Sequence, residues 1–333
     1  MRNIWVDYAK AIGIVLVVYG HVARGVSVSG IPMDDTIFNQ VDAAIYSFHM
    51  PLFFFLSGLF FVDSFEKRGW RGFALNKLDV IVYPYIVWSV FQGLIEVGLN
   101  RWTNNRIDIS QVLSLLWVPR AQFWFLYALF YISIFSMASY LFVKNRYLIL
   151  LLSIVLYFYG LIYPSILPLS YICNFSVYFF IGVFFPKKGF PGNFHAGALA
   201  GLGLLLFAST QFVLYASPEL FVDNRLYSLL LALVAIGFVV SSCVWLSRWN
   251  MKKLALIGSA SMVIYLMHVL IGGGTRILLS SVGVENVYAH LMLGCLFGLL
   301  VPVFMIKNAS RFSVSFLFVN PVSFEKKYLP RLA

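Results

Sequence analysis

The first apolar stretch of the chain carries three ionisable residues whose spacing puts them on one helix face. Asp7, Lys10 and His21 lie within residues 4–24, which are otherwise mostly apolar. At 100° per residue, the directions of Lys10 and His21 around the helix axis differ by about 20°, and those of Asp7 and His21 by about 40°. Along the axis, about 16 Å separates Lys10 from His21. Ionisable groups in an apolar membrane segment are costly, so they mark a candidate functional site. An imidazole there could act as a base or as a nucleophile.

Two further histidines lie deep in other apolar stretches. His49 precedes Pro51, which removes a backbone hydrogen bond and is expected to kink its helix. His268 lies about half-way through a late apolar stretch. Each alone could be a packing histidine bonded to a neighbouring carbonyl, but together with His21 they predict the lining of a polar cavity. No pair has the spacing of metal ligands on one helix and no carboxylate accompanies them, so we expect no metal.

A structural alternative exists for the residues of the first stretch. Asp7 and Lys10, at i and i+3, can pair with each other near one membrane surface. His21 would then extend toward the opposite surface, because both ends of a spanning helix lie within reach of lipid headgroups. The two deep histidines on other helices weigh against this alternative.

The composition indicates that lipid is the main solvent of the chain. Its 333 residues are 61% hydrophobic and 11% charged, against roughly 45–50% and about 25% in soluble domains. The net charge of +11 is spread in small groups between apolar stretches, which is the pattern of membrane topology and not of a nucleic-acid site. The three cysteines are far apart, which fits neither a disulfide framework nor a zinc site.

A spanning helix needs about 20 apolar residues, and ten stretches meet or approach that length. They predict an all-α fold, a polytopic membrane protein with about ten transmembrane helices. The predicted spans are 4–24, 38–62, 78–98, 123–143, 147–162, 166–185, 196–215, 226–246, 258–279 and 289–306.

The basic residues predict the orientation of these spans. Alternating the connections between two sides puts seventeen Lys and Arg on one side and six on the other. Because basic residues accumulate in cytoplasmic loops, both termini are predicted to be cytoplasmic. Residues 1–306 then form the transmembrane domain and residues 307–333 a basic cytoplasmic tail against the membrane. The longest predicted connections are 63–77 inside and 99–122 outside.

The polar residues and several short motifs resemble the acyltransferase-3 family of integral membrane O-acyltransferases. Lys10, ten intervening residues and His21, preceded by Asp7, are similar to the basic-x10-His signature on the first helix of that family. Lysine stands where arginine is usual, so no role that needs the fork geometry of arginine is carried over. The other motifs in the family's order are Phe48-His49-Met50-Pro51-Leu52-Phe53 with Ser57-Gly58, Lys77 with Tyr83-Pro84-Tyr85, Phe123-Trp124-Phe125-Leu126 and Tyr265-Leu266-Met267-His268.

The sequence is most similar to the branch of fucose 4-O-acetylases and exopolysaccharide acetyltransferases, and the resemblance implies an activity. The protein would be an O-acetyltransferase of the bacterial inner (plasma) membrane, with cytosolic acetyl-CoA as co-substrate. The acceptor would be a hydroxyl of a glycan, an exopolysaccharide or a lipid-linked sugar, at the outer face. The expected partners are therefore acetyl-CoA, the glycan and membrane lipids, with no nucleic acid.

The resemblance also implies roles for the polar residues. His21 would act as general base on a sugar hydroxyl, or would carry the acyl group as an acyl-imidazole. Lys10 would attract the anionic donor while Asp7 fixes its orientation, and the thioester arm would extend along the stripe toward His21. His49 or His268 could donate a hydrogen bond to the tetrahedral oxyanion.

Two more groups of side chains are candidates for binding substrates. A cytoplasmic basic group could hold the phosphates of acetyl-CoA, although basic residues in an inside loop also serve topology. The members of this group are Lys67, Arg68, Arg71 and Lys77. Aromatic side chains suit a sugar, and those that follow the outer loop suit the membrane interface equally well. The predicted substrate-binding residues are Phe123, Trp124 and Tyr265.

A proton-coupled transporter or flippase of lipid-linked sugars is the alternative function, since deep histidines and a kinked helix suit a carrier. The ten predicted spans show no inverted repeat, and Lys10 and His21 on one face suit a fixed donor tunnel better than a moving gate. The sequence leaves open the acceptor, an acyl group other than acetyl, the choice between direct transfer and an acyl-histidine, and the oligomeric state.

Overall fold

The structure, a computed structural model, describes residues 3–100, 108–143, 145–160, 167–186, 193–218 and 224–324. The regular structure of these residues is helical, and they contain no strand. The α-helices are α1 (Ile4–Val28), α2 (Asp35–Tyr46), α3 (His49–Gly58), α4 (Phe61–Lys77), α5 (Tyr83–Gly98), α6 (Ile109–Leu113), α7 (Trp124–Phe142), α8 (Arg146–Tyr159), α9 (Leu169–Phe184), α10 (Asn193–Ala216), α11 (Arg225–Leu246), α12 (Lys252–Ser259), α13 (Ser261–Ser281) and α14 (Val287–Lys307).

The chain is an all-helical, multi-pass membrane protein, as predicted. Within the described residues, seven helical stretches are long and apolar enough to cross a membrane, and α8 and α9 are shorter apolar helices. The count of ten spans and the cytoplasmic position of both termini stay predictions. The seven stretches are Ile4–Val28, Phe61–Gly98, Ile109–Phe142, His195–Ala216, Arg225–Leu246, Ser261–Ser281 and Val287–Lys307.

The predicted second span is two helices in the structure. α2 ends at Tyr46 and α3 begins at His49, so the chain turns at Ser47 and Phe48. Pro51 therefore lies in the first turn of α3, where a missing N–H costs little because the first N–H groups of a helix have no partner within it. The expected kink is thus a break between two helices, and it lies just before His49.

The predicted inner connection 63–77 is helical instead of a loop, since it forms most of α4. The helix is interrupted at Gly69, whose φ of 65° lies in the left-handed region that glycine adopts without strain. A π-helical segment, Leu78–Val82, then joins α4 to α5. Residues 61–98 are therefore one helical stretch with two irregular points.

The chain divides into two compact units. The first unit is Met1–Leu56 with Phe185–Phe304, and the second is Ser57–Phe184 with Met305–Ala333. In the first unit, α1 packs against α2, α11, α12 and α13. The hydroxyl of Tyr8 ties α1 to the α11–α12 connection, because it donates to the carbonyl of Trp249 at 2.8 Å and accepts from the amide of Met251 at 2.9 Å. α1 is therefore the central helix of this unit.

The second unit has an aromatic core and an anchored tail. The ring of Phe61 lies 5.4 Å from that of Phe73 and 5.7 Å from those of both Tyr140 and Phe179. In the π-helical segment, the carboxylate of Asp79 accepts hydrogen bonds from three groups of the C-terminal tail. These are Asn320 Nδ2 at 2.5 Å, Ser323 Oγ at 2.9 Å and the amide of Phe324 at 2.8 Å. The described part of the tail is therefore held by protein contacts.

A glycine in α12 allows a close helix contact in the first unit, and its substitution tests that packing. A Cβ added at Gly258 would overlap the backbone carbonyl of Asp7 in α1. We expect Gly258→Ala to lower the free energy of unfolding by about 1–3 kcal/mol, as overpacking does. Thermal unfolding in detergent measures this effect.

Gly273→Ala is the matched control for this substitution. Gly273 lies in α13 with no atom within 4 Å of an added Cβ, so alanine there should be neutral or stabilise by roughly 0.5–1 kcal/mol. Equal stability of the two variants would contradict the described contact between α1 and α12.

Candidate functional site

The three histidines predicted to be deep all belong to the first unit, and the structure brings them together. The rings of His21 on α1 and His268 on α13 have centroids 5.0 Å apart and planes at 67°. His49, the first residue of α3, joins them through Tyr46, whose ring meets the His49 ring and lies against Gly20, the residue before His21. In the described parts of the chain, no group of three or more His, Cys, Asp or Glu residues is placed to hold a metal ion. The cluster is thus built from imidazoles that come from three different helices.

Two of the three imidazole rings are fixed by their own helices. His49 Nδ1 lies 2.8 Å from the carbonyl oxygen of Ile45, and His268 Nδ1 lies 2.8 Å from that of Tyr265 and 3.1 Å from that of Ile264. A carbonyl oxygen only accepts, so each Nδ1 must carry the hydrogen. In the neutral rings Nε2 is then an acceptor. Donation to an oxyanion by either histidine would require a second proton on the ring.

His21 differs from the other two histidines in exposure and in bonding. His49 and His268 are 2% and 0% exposed, whereas His21 is partly exposed. Its ring makes the edge contact with His268 and, among the described residues, has no carbonyl partner that fixes its tautomer. Of the three, His21 is the imidazole with some exposed surface.

The polar stripe of α1 is present, but it is not an open groove. Asp7 is 7% exposed and Lys10 is partly exposed. Between Lys10 and His21, the aliphatic side chains of Ile14 and Val18 are at most 1% exposed. A thioester arm that followed this stripe to His21 would therefore have to displace packed side chains.

Beside this cluster, an ion pair and an aromatic ring support His49. The Arg24 guanidinium contacts the Asp42 carboxylate through two hydrogen bonds of 2.8 and 2.7 Å, and it lies 3.3 Å from the centre of the Tyr46 ring. The Tyr46 ring in turn meets the His49 ring edge to face, with centroids 4.5 Å apart. Gly20 of α1 leaves room for the Tyr46 ring, because a Cβ at position 20 would lie only 3.2 Å from that ring. Asp42, Arg24 and Tyr46 thus form a clamp that sets the position of His49.

Comparison with protein families identifies the chain. Residues 3–307 match the family model described as an acyltransferase domain, the acyltransferase-3 model. The chain belongs to the acyltransferase-3 family. Comparison with curated proteins and with solved structures gives no match. The match confirms the family predicted from the motifs and favours a membrane acyltransferase over the transporter alternative.

In this acyltransferase the predicted donor-binding group lies on α4 of the second unit. The interruption at Gly69 separates Lys67 and Arg68 from Arg71 and Lys77. Lys67 and Arg71 are exposed, while Lys77 is partly buried with its Nζ 4.9 Å from the centre of the Phe73 ring. Arg68 donates to the hydroxyl of a serine one turn earlier at 3.3 Å. α4 therefore carries exposed positive charges, and the role of these residues in binding a donor stays a prediction.

The predicted substrate-binding aromatic residues are largely packed against other side chains. Phe123 is 0% exposed, and Trp124 stacks on Tyr171 with centroids 5.6 Å apart and planes at 20°. These residues lie in the second unit. Tyr265, in the first unit, is 6% exposed, and its carbonyl accepts the bond from His268. The binding of a sugar by Phe123, Trp124 and Tyr265 stays a prediction.

Sequence reasoning missed a buried polar network in the second unit of this acyltransferase. Gln122 donates to Gln92 at 2.7 Å, Gln92 donates to Glu96 at 2.7 Å, and Arg120 contacts Glu96 at 2.5 Å. The side chains come from α5 and from the connection before α7, so they hold that connection to the helix. Two polar residues spaced i, i+4 in an apolar helix, Gln92 and Glu96, were a signal that could have revealed it.

The clamp on His49 predicts an effect of Asp42→Asn on catalysis. The asparagine side chain has no negative charge and only one acceptor oxygen instead of two, so Arg24 is released from its position over Tyr46. We expect the rate of acyl transfer in membranes to fall by about tenfold or more, because small displacements at a reacting centre are costly. The thermal midpoint should change little, since a pair this exposed contributes about 0.2–1 kcal/mol.

Asp35→Asn is the control for the clamp. It removes an exposed carboxylate from the first turn of the same helix, seven residues before Asp42, and it should keep wild-type activity. If Asp42→Asn transfers acyl groups as fast as Asp35→Asn, the clamp has no part in positioning His49.

Proposed function

We propose that this membrane acyltransferase is an O-acetyltransferase of the bacterial inner membrane. It moves acetyl from cytosolic acetyl-CoA to a hydroxyl of a glycan, an exopolysaccharide or a lipid-linked sugar, at the outer face. The observation that carries the proposal is the convergence of His21, His49 and His268 from three helices. Family membership supports acyl transfer. The similarity of the motifs to those of fucose 4-O-acetylases and exopolysaccharide acetyltransferases supports the donor and the acceptor.

His21 is the proposed reacting group, and as a general base it completes the reaction in two steps. It takes the proton of the sugar hydroxyl while that oxygen forms a bond to the thioester carbonyl carbon. The tetrahedral intermediate then collapses, the carbon–sulfur bond breaks, and the leaving thiolate of CoA takes the proton from the imidazolium. The products are the acetyl ester and free CoA.

The same residue could act as the nucleophile. A ring nitrogen of His21 would form a bond to the acyl carbon as the carbon–sulfur bond breaks, which yields an acyl-imidazolium and the CoA thiolate. The sugar hydroxyl would then attack the acyl carbon and give its proton to the CoA thiolate, and the carbon–nitrogen bond would break to restore the neutral imidazole. Both mechanisms require an unprotonated nitrogen of His21 that faces the substrate.

The donor end of the site is proposed from charge. The nucleotide portion of acetyl-CoA is strongly anionic, and Lys10 on α1 is a cation at the end of the stripe that the topology puts near the cytoplasm. Asp7 would orient Lys10. The cations on α4, in the second unit, are a separate candidate for attracting a donor's phosphates, although such residues also serve membrane topology. These cations are Lys67, Arg68, Arg71 and Lys77.

The role of His21 predicts that His21→Ala abolishes transfer. We expect acetylated glycan formed from labelled acetyl-CoA in isolated membranes to fall by about 100-fold or more, since a positioned base contributes about 10²–10⁴. His195→Ala, which removes an exposed histidine from α10, is the matched control and should keep wild-type activity. A fully active His21→Ala protein that inserts at the wild-type level would rule out the proposed role.

The role of Lys10 predicts a change in the use of the donor. We expect Lys10→Ala to raise the apparent KM for acetyl-CoA with a smaller effect on kcat. The variant should also need more CoA than the wild type for the same rise in thermal midpoint, because a bound ligand stabilises by mass action. Lys307→Ala, an exposed cation at the end of α14, serves as control.

Two outcomes would contradict this assignment. An unchanged KM in Lys10→Ala would remove Lys10 from the donor site. If micromolar CoA leaves the thermal midpoint of the wild-type protein unchanged, the donor itself would be wrong and the sugar-carrier alternative would gain support.

A further inference from the structure

The buried site contains one hydrogen-bonding atom that the protein does not satisfy. His268 is 0% exposed, and its Nε2 is a buried nitrogen without a hydrogen-bond partner in the structure. Buried polar atoms are usually paired, and an unpaired one is commonly a sign of function. This nitrogen therefore requires a physical explanation.

The other nitrogen of the ring defines what kind of partner is needed. His268 Nδ1 lies 2.8 Å from the carbonyl oxygen of Tyr265 and 3.1 Å from that of Ile264, so it carries the hydrogen. In the neutral ring Nε2 then has a lone pair and no hydrogen. The missing partner must be a hydrogen-bond donor.

His21 is a donor that the structure places beside this ring. On the side of α14 the helices are closely packed, since a Cβ added at Gly298 would lie 3.0 Å from Val18 and 3.9 Å from the Cβ of His268. The ring of His21 lies beside that of His268, with centroids 5.0 Å apart and planes at 67°. At this separation an N–H at the edge of one ring can come within about 3 Å of a nitrogen of the other.

We infer that His268 is a positioning residue whose Nε2 accepts the N–H of one ring nitrogen of His21. The bond would leave the other nitrogen of His21 with a free lone pair on the partly exposed side of the ring. Such a nitrogen is what both proposed mechanisms require. Orientation of a reacting histidine by an acceptor behind it is a recurring device in active sites. The inference rests on the proposed role of His21 in acyl transfer.

In this arrangement His268 positions His21 and does not donate a hydrogen bond to the oxyanion. A neutral His268 with hydrogen on Nδ1 has nothing to donate at Nε2. The ring is also fully buried, so a substrate would meet His21 first. His268 therefore acts through His21, and its loss should lower kcat while the KM for acetyl-CoA stays the same.

Two substitutions at His268 separate this role from mere packing. The amide of asparagine reaches the position of Nδ1, so His268→Asn can keep the bond to the helix carbonyls but has no acceptor where Nε2 was. The longer glutamine brings its carbonyl oxygen to the position of Nε2. We expect kcat to fall on the order of 10- to 100-fold in His268→Asn and to recover in part in His268→Gln. Wild-type kcat in His268→Asn, or no recovery in His268→Gln, would overturn the inference.

A spectroscopic measurement tests the hydrogen bond without any substrate. Solid-state NMR of the full chain, labelled with ¹⁵N-histidine in lipid bilayers, distinguishes protonated from unprotonated ring nitrogens, and His268 is assigned by the signals lost in His268→Gln. We expect a protonated Nδ1 and an unprotonated, hydrogen-bonded Nε2 whose signal shifts in His21→Phe. A protonated Nε2, or an Nε2 signal unaffected by His21→Phe, would overturn the inference.

Failure of this inference and failure of the proposed function are distinguishable. Absence of acetyl transfer in wild-type membranes would contradict the proposed function, whatever the ring tautomer. Active wild-type membranes combined with an unbonded Nε2 would leave the function standing and remove the positioning role of His268.

Discussion

The need to satisfy polar groups inside an apolar helical bundle is the constraint on which the rest of the structure depends. No water is available in such surroundings, so each buried donor or acceptor must find a partner within the protein. His49 and His268 meet this need by donating to carbonyls of their own helices. As a consequence, each of these two rings has a fixed tautomer, because the nitrogen that faces the helix must keep its hydrogen. His21 lies beside them and is partly exposed, and among the described residues no carbonyl fixes its tautomer.

Close packing around α1 makes this arrangement possible. Gly20 admits the Tyr46 ring, and Gly258 lies against the backbone of Asp7. Helices in lipid gain no hydrophobic driving force for their association, so small residues that let backbones approach are a main source of contact. The same helix thus carries His21, the histidine proposed to react, and the surfaces that hold its neighbours. Stability and geometry of the site depend on the same few contacts.

Each of the two units also contains a polar network. The Arg24–Asp42 pair and Tyr46 hold His49 from one side in the first unit. In the second unit, Asp79 anchors the C-terminal tail at a π-helical segment. Irregular helical turns of this kind are frequent at functional sites. Each network contains a charged group that is hydrogen-bonded within the protein.

Composition and periodicity by themselves indicated a helical, multi-pass membrane protein, and the resemblance of its motifs indicated the acyltransferase-3 family. These properties follow from the lengths of the apolar stretches and from local motifs. The face shared by Lys10 and His21 followed from helix geometry alone. Tertiary structure decided the rest. It decided the break before His49, the packing of Ile14 and Val18 where a passage was expected, and the clamp formed by Asp42, Arg24 and Tyr46. Contacts between helices distant in sequence depend on side-chain fit, and no local pattern encodes that fit. The tautomers of His49 and His268 likewise depend on which nitrogen meets a carbonyl once the rings are buried.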